Sequence, residues 1–150
     1  MEEGRLVGNI VTSHGICINP ERVEAIQKVN LLRNKKEIQS FLGKVNSLRR
    51  FILKFAEIVK NITSMLRKDQ EIKWDTTAKD SFAAIKLSLT ESLVLANPNF
   101  SRDFITFSFA SDETITTVLL QKNEEGFEHP ISFFSRALRD AELRYNLIEK

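Results

Sequence analysis

Cysteine is almost absent from these 150 residues: Cys17 stands alone, so no internal disulfide can form. Histidine is nearly as scarce, and His14 and His129 lie too far apart to give a metal-ligand spacing. There is no long apolar run. The longest, such as residues 104–109, fall far short of the roughly 20 residues that a membrane helix needs. The opening Met1-Glu2-Glu3-Gly4 does not read as a signal peptide. Repeats and low-complexity tracts are missing as well. These lacks predict a soluble, intracellular protein with no membrane partner, and Cys17 itself reads as a small buried hydrophobe.

What is present is the material of a folded core, with 42% hydrophobic and 28% charged residues. The net charge of +2 is unevenly spread. Residues 20–70 hold twelve Lys and Arg against five Asp and Glu, a balance of +7; residues 71–150 hold nine against thirteen, a balance of −4. A basic segment joined to an acidic one argues for two structural units, the first suited to a polyanion. A solvated helix face would explain the basic charge equally well.

The apolar pattern divides the chain further. Residues 5–18 read as a β-hairpin, with Ser13-His14-Gly15 as the turn. Asn19 before Pro20 is an N-cap followed by proline at the first helical position, which predicts a short helix. Ile38, Phe41, Leu42, Val45, Leu48, Ile52, Phe55, Val59, Ile62 and Leu66 keep a three-and-four spacing that predicts two helices packed as a hairpin, broken near residues 51–55. Asp75, Thr76 and Thr77 offer caps, Thr77 and Asp80 stand at capping-box spacing, and Ala78, Phe82, Ile85 and Leu89 give the buried stripe of a further helix. Three strands are predicted over residues 104–109, 115–120 and 130–135. A helix then opens near Asp140, with Ala141, Tyr145 and Ile148 on one side.

Several of these segments resemble one family. Leu6-Val7-Gly8-Asn9-Ile10-Val11 with Gly15-Ile16 resembles the F-L-G-H-x-h-S-x-x-G-I hairpin of Ty3/gypsy-type retrotransposon reverse transcriptases. Lys36-Glu37-Ile38-Gln39-Ser40-Phe41-Leu42-Gly43 and Arg49-Arg50-Phe51-Ile52 are similar to its K-E-h-x-S-F-L-G and R-R-F-I. The likeness runs on through Ile72-Lys73-Trp74, Ser92-Leu93-Val94-Leu95, Pro98-Asn99-Phe100, Glu128-His129-Pro130-Ile131, Phe134-Ser135-Arg136 and Tyr145. It implies an α+β fold: a primer-grip hairpin closing the palm (1–19), a helical thumb (20–70), a connecting helix (71–96) and a truncated RNase H-like mixed sheet of three strands and the start of a helix (97–150). The polymerase fingers and palm, with the Y-x-D-D metal site, are not in this sequence.

The same resemblance assigns the sites. Relatives lay a Q-x-x-x-G-K-x-N helix in the minor groove of the template-primer duplex, which here stands as Gln39, Gly43, Lys44 and Asn46. On a helical projection Gln39, Gly43, Asn46 and Arg50 fall within about 60° of one another, opposite Phe41, Val45, Leu48 and Ile52. Gly43 costs an exposed helix interior about 1 kcal/mol relative to Ala, which suits a surface that something must approach closely. Lys44, Arg49, Arg50 and Lys54 would attract phosphates, so the partner implied is an RNA·DNA or DNA duplex alongside the rest of the polyprotein. Ser47 stands where some relatives carry an aromatic.

The family's RNase H cuts RNA in a hybrid with four carboxylates around two magnesium ions. Alignment puts Phe109 at the first catalytic Asp, and a phenyl ring cannot bind magnesium. Asp112 matches a turn residue and not a ligand. A shifted Glu149 is the one carboxylate that could be argued for in the following helix. The reading is therefore a non-catalytic fragment without a cofactor of its own, from a family that uses Mg2+. An active RNase H-type nuclease within a longer polyprotein and a domesticated interaction module are the alternatives.

Overall fold

A computed structural model describes residues 4–92 and 94–144 of the chain. Leu93, Tyr145, Ile148 and Glu149, all named above, lie outside the described residues. The order of elements is β1 (Gly4–Leu6), β2 (Asn9–Thr12), β3 (Gly15–Ile18), α1 (Pro20–Gln27), α2 (Lys35–Asn46), α3 (Phe55–Ser64), α4 (Thr76–Thr90), β4 (Ile105–Ala110), β5 (Thr114–Lys122) and β6 (Glu128–Ala137). Short 3-10 turns occupy Arg49–Phe51 and Glu142–Arg144. Two three-stranded antiparallel sheets, β1-β2-β3 and β4-β5-β6, flank the helices.

The N-terminal segment is a three-stranded meander and not a simple hairpin. β1 pairs with β2 through a two-residue loop, Val7-Gly8, in which both residues take positive φ (50° and 76°). That conformation matches the twist of the strands, but it is costly for a β-branched residue. All of β1 is exposed, so no alternation of burial marked it in the sequence.

Helix starts follow side-chain caps. Asn19 accepts from Glu21 N at 3.0 Å with Pro20 behind it, and Asn34 accepts from Glu37 N at 2.9 Å. At α4 the cap is Asp75, whose Oδ1 accepts from Ala78 N at 2.8 Å; the Thr77 and Asp80 spacing is not used. α3 differs. Its N-cap, Lys54, is left-handed (φ 57°) and makes no side-chain cap, so its first-turn donors need partners from elsewhere.

One core joins β3 and the helices. Ile18, Ile26, Ile38, Val45, Leu48, Ile62, Phe82, Ile85 and Leu89 are buried in it, and Phe133 of β6 packs against its edge. Phe41 meets Phe82 at a tilt of 39° with ring centroids 5.1 Å apart, and Trp74 meets Phe82 edge-on at 5.4 Å while donating from Nε1 to Leu32 O at 2.7 Å. Cys17 is only half-buried on β3. The segment after α4 ties the two sheets together: Leu95 bridges Ile16 of β3, and Ala96 N donates to Pro130 O of β6 at 2.8 Å.

Candidate nucleic-acid interface and the β4–β6 sheet

Helix α2 divides into two faces. Ile38, Phe41 and Val45 are all but fully buried, whereas Gln39, Gly43, Lys44 and Asn46 are exposed. A Cβ added at Gly43 would meet nothing within 4 Å. The glycine therefore answers to no contact within the described chain. Its helical cost has no internal compensation, since alanine would fit and would hold the helix better.

The three remaining basic residues separate. Helix α2 ends at Asn46, so the projection that grouped Arg50 with Gln39 extends a helix that has already stopped. Arg50 sits instead in the 3-10 turn, half-buried, its guanidinium 5.8 Å from the Phe51 ring. Lys54 is exposed at the left-handed start of α3. Arg49 turns inward: Nη2 donates to Ser135 O at 3.1 Å, and its guanidinium lies 5.1 Å from the Phe134 ring centre. A charge counted as phosphate-binding in the sequence thus already binds β6.

Ser135 is the counterpart of that contact. Buried at 4% exposure, its Oγ accepts from Ala56 N at 2.8 Å and so caps α3 from 79 residues away. Lys60 of α3 pairs with Glu113 at the β4–β5 turn. Phe134-Ser135-Arg136 therefore has a structural account at each position. Phe134 carries Arg49, Ser135 caps α3, and Arg136 makes a bidentate pair with Glu142 at 2.7 and 2.8 Å.

Hydrogen bonds from Arg136, and then from Arg139 N at 2.7 Å, hold the Glu142 carboxyl at about 2, well below its usual 4.5. A depressed carboxylate stabilises the folded form above the unfolded value and loses that contribution as pH falls through the folded one. Protection of the Arg139 amide in hydrogen exchange is expected to decline between pH 4.5 and about 2. Glu142→Gln should show low protection throughout. An unchanged pH profile in that variant would refute the assignment.

Phe109 lies on β4 directly opposite Thr116, which in turn faces Ser135 on β6. This cross-strand row runs from an exposed end to a covered one: Phe109 is 56% exposed, while Thr116 and Ser135 are buried. Phe107, two residues earlier on the same face, is also exposed. The donor set here does not fit a divalent cation. Phe109 offers no lone pair, Glu113 pairs with Lys60, and among the described residues no three His, Cys, Asp or Glu side chains converge. A cavity of about 570 Å³ at the other end of β4 is lined by Arg102, Asp103, Lys122 and Glu124, with Arg102 and Glu124 paired across it at 3.4 Å.

Residues 74–150 match the profile of the RNase H-like domain found in reverse transcriptase. The retrovirus-related Pol polyprotein from transposon 297 of Drosophila melanogaster is 38% identical over 152 residues, covering 99% of this chain and 14% of the relative. The transposon Tf2-3 polyprotein of Schizosaccharomyces pombe is 29% identical over 146 residues, covering 97% of this chain and 11% of the relative. This chain thus spans a small part of the polyproteins it matches. Among solved structures, the foamy viral protease-reverse transcriptase in complex with dsDNA superposes with a TM-score of 0.83 at 25% identity, over 99% of this chain and 31% of that one. The same type of enzyme in complex with an RNA/DNA hybrid gives 0.81 at 26% identity, over 97% and 20%.

Proposed function

Since this chain belongs to the family of RNase H-like domains found in reverse transcriptase, with retrotransposon polyproteins as its relatives, we propose that it is the thumb-and-connection region of such a polyprotein. In this reading α2 tracks a template-primer duplex, and the β4–β6 sheet performs no nuclease chemistry of its own. Residues 1–19 would close the palm, 20–70 form the thumb, 71–96 connect, and 97–150 begin the RNase H-like unit.

The observation that carries this reading is the open face at Gly43. Gln39, Gly43 and Asn46 lie bare along a helix whose other side is fully packed. Duplex DNA and an RNA/DNA hybrid are what the foamy viral neighbours hold. Lys44 on the same helix and Lys54 at the start of α3 are both exposed and would supply sequence-independent attraction to phosphates. In this reading Arg49, which bonds Ser135 O, holds β6, and the half-buried Arg50 flanks the face. On the sheet, Phe109 stands where the family's first metal-binding Asp would stand, and it brings no ligand.

The test uses two properties with opposite signs. Gly43→Ala should stabilise the free chain by up to about 1 kcal/mol, because alanine is the better helix former. The same substitution should weaken binding to DNA duplex and RNA·DNA hybrid, measured by fluorescence anisotropy. Affinity of the parent should fall steeply with salt, and Lys44→Glu with Lys54→Glu should lower the slope. A variant that is more stable and binds as well as the parent would remove α2 from the interface. Hybrid incubated with magnesium should stay intact, and cutting would favour the nuclease alternative.

A further inference from the structure

Three elements far apart in sequence meet at the guanidinium of Arg22. From α1, its Nη1 donates to the carbonyls of Val7 and Gly8, both at 3.3 Å, and its Nη2 donates to Ser47 Oγ at 2.5 Å. Ser47 is the C-cap of α2, and its hydroxyl donates to Lys44 O at 2.7 Å. The side chain of Arg22 therefore reaches from the tip of the first sheet to the end of the helix that carries Gln39, Gly43 and Asn46. Among the described residues no other hydrogen bond joins that tip to α2.

The tip itself is unusual. Val7 is 85% exposed and left-handed, and its neighbour Leu6 is 65% exposed. A β-branched residue persists in that conformation where its surroundings over-determine it. Two carbonyls held by one guanidinium are such a constraint. Gly8 serves the same contact, because a Cβ there would stand 2.6 Å from Arg22 Nη1. Ser47 supplies the acceptor at the other end.

We propose that Arg22 is a positioning residue, which fixes the Val7-Gly8 tip beside the C-terminal end of α2 so that tip and helix face meet a duplex as one surface. The proposal rests on the reading of α2 as a duplex-binding helix. A positioning role differs from the simpler one of an extra phosphate contact. Positioning works through Ser47, which carries no charge; phosphate attraction works through the charge of Arg22 alone.

Two measurements on the full chain separate these roles. In a Cys17→Ser background, spin labels at Leu6→Cys and Lys36→Cys report the distance between tip and helix by pulsed electron paramagnetic resonance. The parent should give one narrow distribution, Arg22→Met a broad one, and Ser47→Ala an intermediate one. An unchanged width in Arg22→Met would overturn the proposal. Anisotropy with a short DNA duplex gives the second readout. Arg22→Met should weaken binding about tenfold and Ser47→Ala about threefold, as lost preorganisation does, with the salt slope of Ser47→Ala unaltered. Parent-like binding by Ser47→Ala, with a slope reduced by about one in Arg22→Met, would make Arg22 a phosphate contact and overturn the positioning role. If the parent bound no duplex, the reading of α2 would fail, while the width of the distance distribution would still decide whether Arg22 holds the tip.

Discussion

Gly15→Ala is expected to destabilise the chain by on the order of 3–5 kcal/mol, a large share of the roughly 5–15 kcal/mol that holds a typical domain folded. Gly15 has φ +148°, and a Cβ built on it would lie 2.3 Å from Leu95 O and 2.8 Å from Val94 Cγ1. The first of these obstacles is backbone, so no rotamer change relieves it. The segment around Leu95 would have to withdraw, and Ile16 N to Leu95 O at 2.7 Å and Leu95 N to Ile16 O at 2.9 Å would both be lost. Leu95 is fully buried, and its neighbour Ala96 is bonded to Pro130 of β6, so the displacement would reach the core and the second sheet together. Gly126→Ala is the control. It too has positive φ, +84°, but nothing lies within 4 Å, so only backbone strain of about 1–2 kcal/mol should appear. Urea midpoints for the two variants decide the matter; equal losses would show that close approach to Leu95 does not constrain position 15.

Periodicity revealed what local sequence controls. The stripe Ile38, Phe41, Val45, Leu48 is buried throughout, and Ala78, Phe82, Ile85 and Leu89 all face the core, because a helix that packs on one side must repeat its apolar residues at that spacing. The strands of the second sheet emerged one or two residues longer at every end but the start of β4 than their β-branched and aromatic runs suggested. Three features escaped for physical reasons. β1 has no buried face to pattern it. The start of α3 carries no local cap, since its partner, Ser135, comes from β6. Arg49 reads as a surface charge in any count of charges, and only the approach of Phe134 and Ser135 turns it inward.

The candidate interface was legible to a similar degree. Gln39, Gly43 and Asn46 emerge bare, as a helical projection requires of residues opposite a packed stripe, whereas Lys44, about 100° round the helix from Gly43, is exposed beside that stripe. Arg50 falls away from them because the projection assumes a helix longer than the one that forms. Arg22 drew no attention at all. It belongs to no motif, and its importance depends on bringing together residues 7, 8 and 47, which have no periodic relation to it.

Ser135→Val should be the other severe substitution, at about 2–3 kcal/mol. Valine removes the hydroxyl that caps Ala56 N and places two methyl groups in a site only 4% exposed. Ser135→Ala isolates the first part, and about 1 kcal/mol is expected from the lost cap alone. The site of the damage is the stronger test. Lys54 provides no side-chain cap to take over, so the Ala56 amide should lose hydrogen-exchange protection in both variants while amides in α4, which is capped by Asp75, keep theirs. Arg49→Met should remove the bond to Ser135 O and the cation over Phe134, leaving β6 to be held by the Ser135 Oγ cap on Ala56 N, the Ala96 N–Pro130 O bond and the packing of Phe133. Because Arg49 and Ser135 act on one contact, their combined loss should fall short of the sum of the single losses. Strict additivity would mean that α3 and β6 meet through independent contacts. In that case the alignment of the sheet with the α2 face would rest on the Leu95–Ala96 crossing instead, where Gly15→Ala would disturb it most.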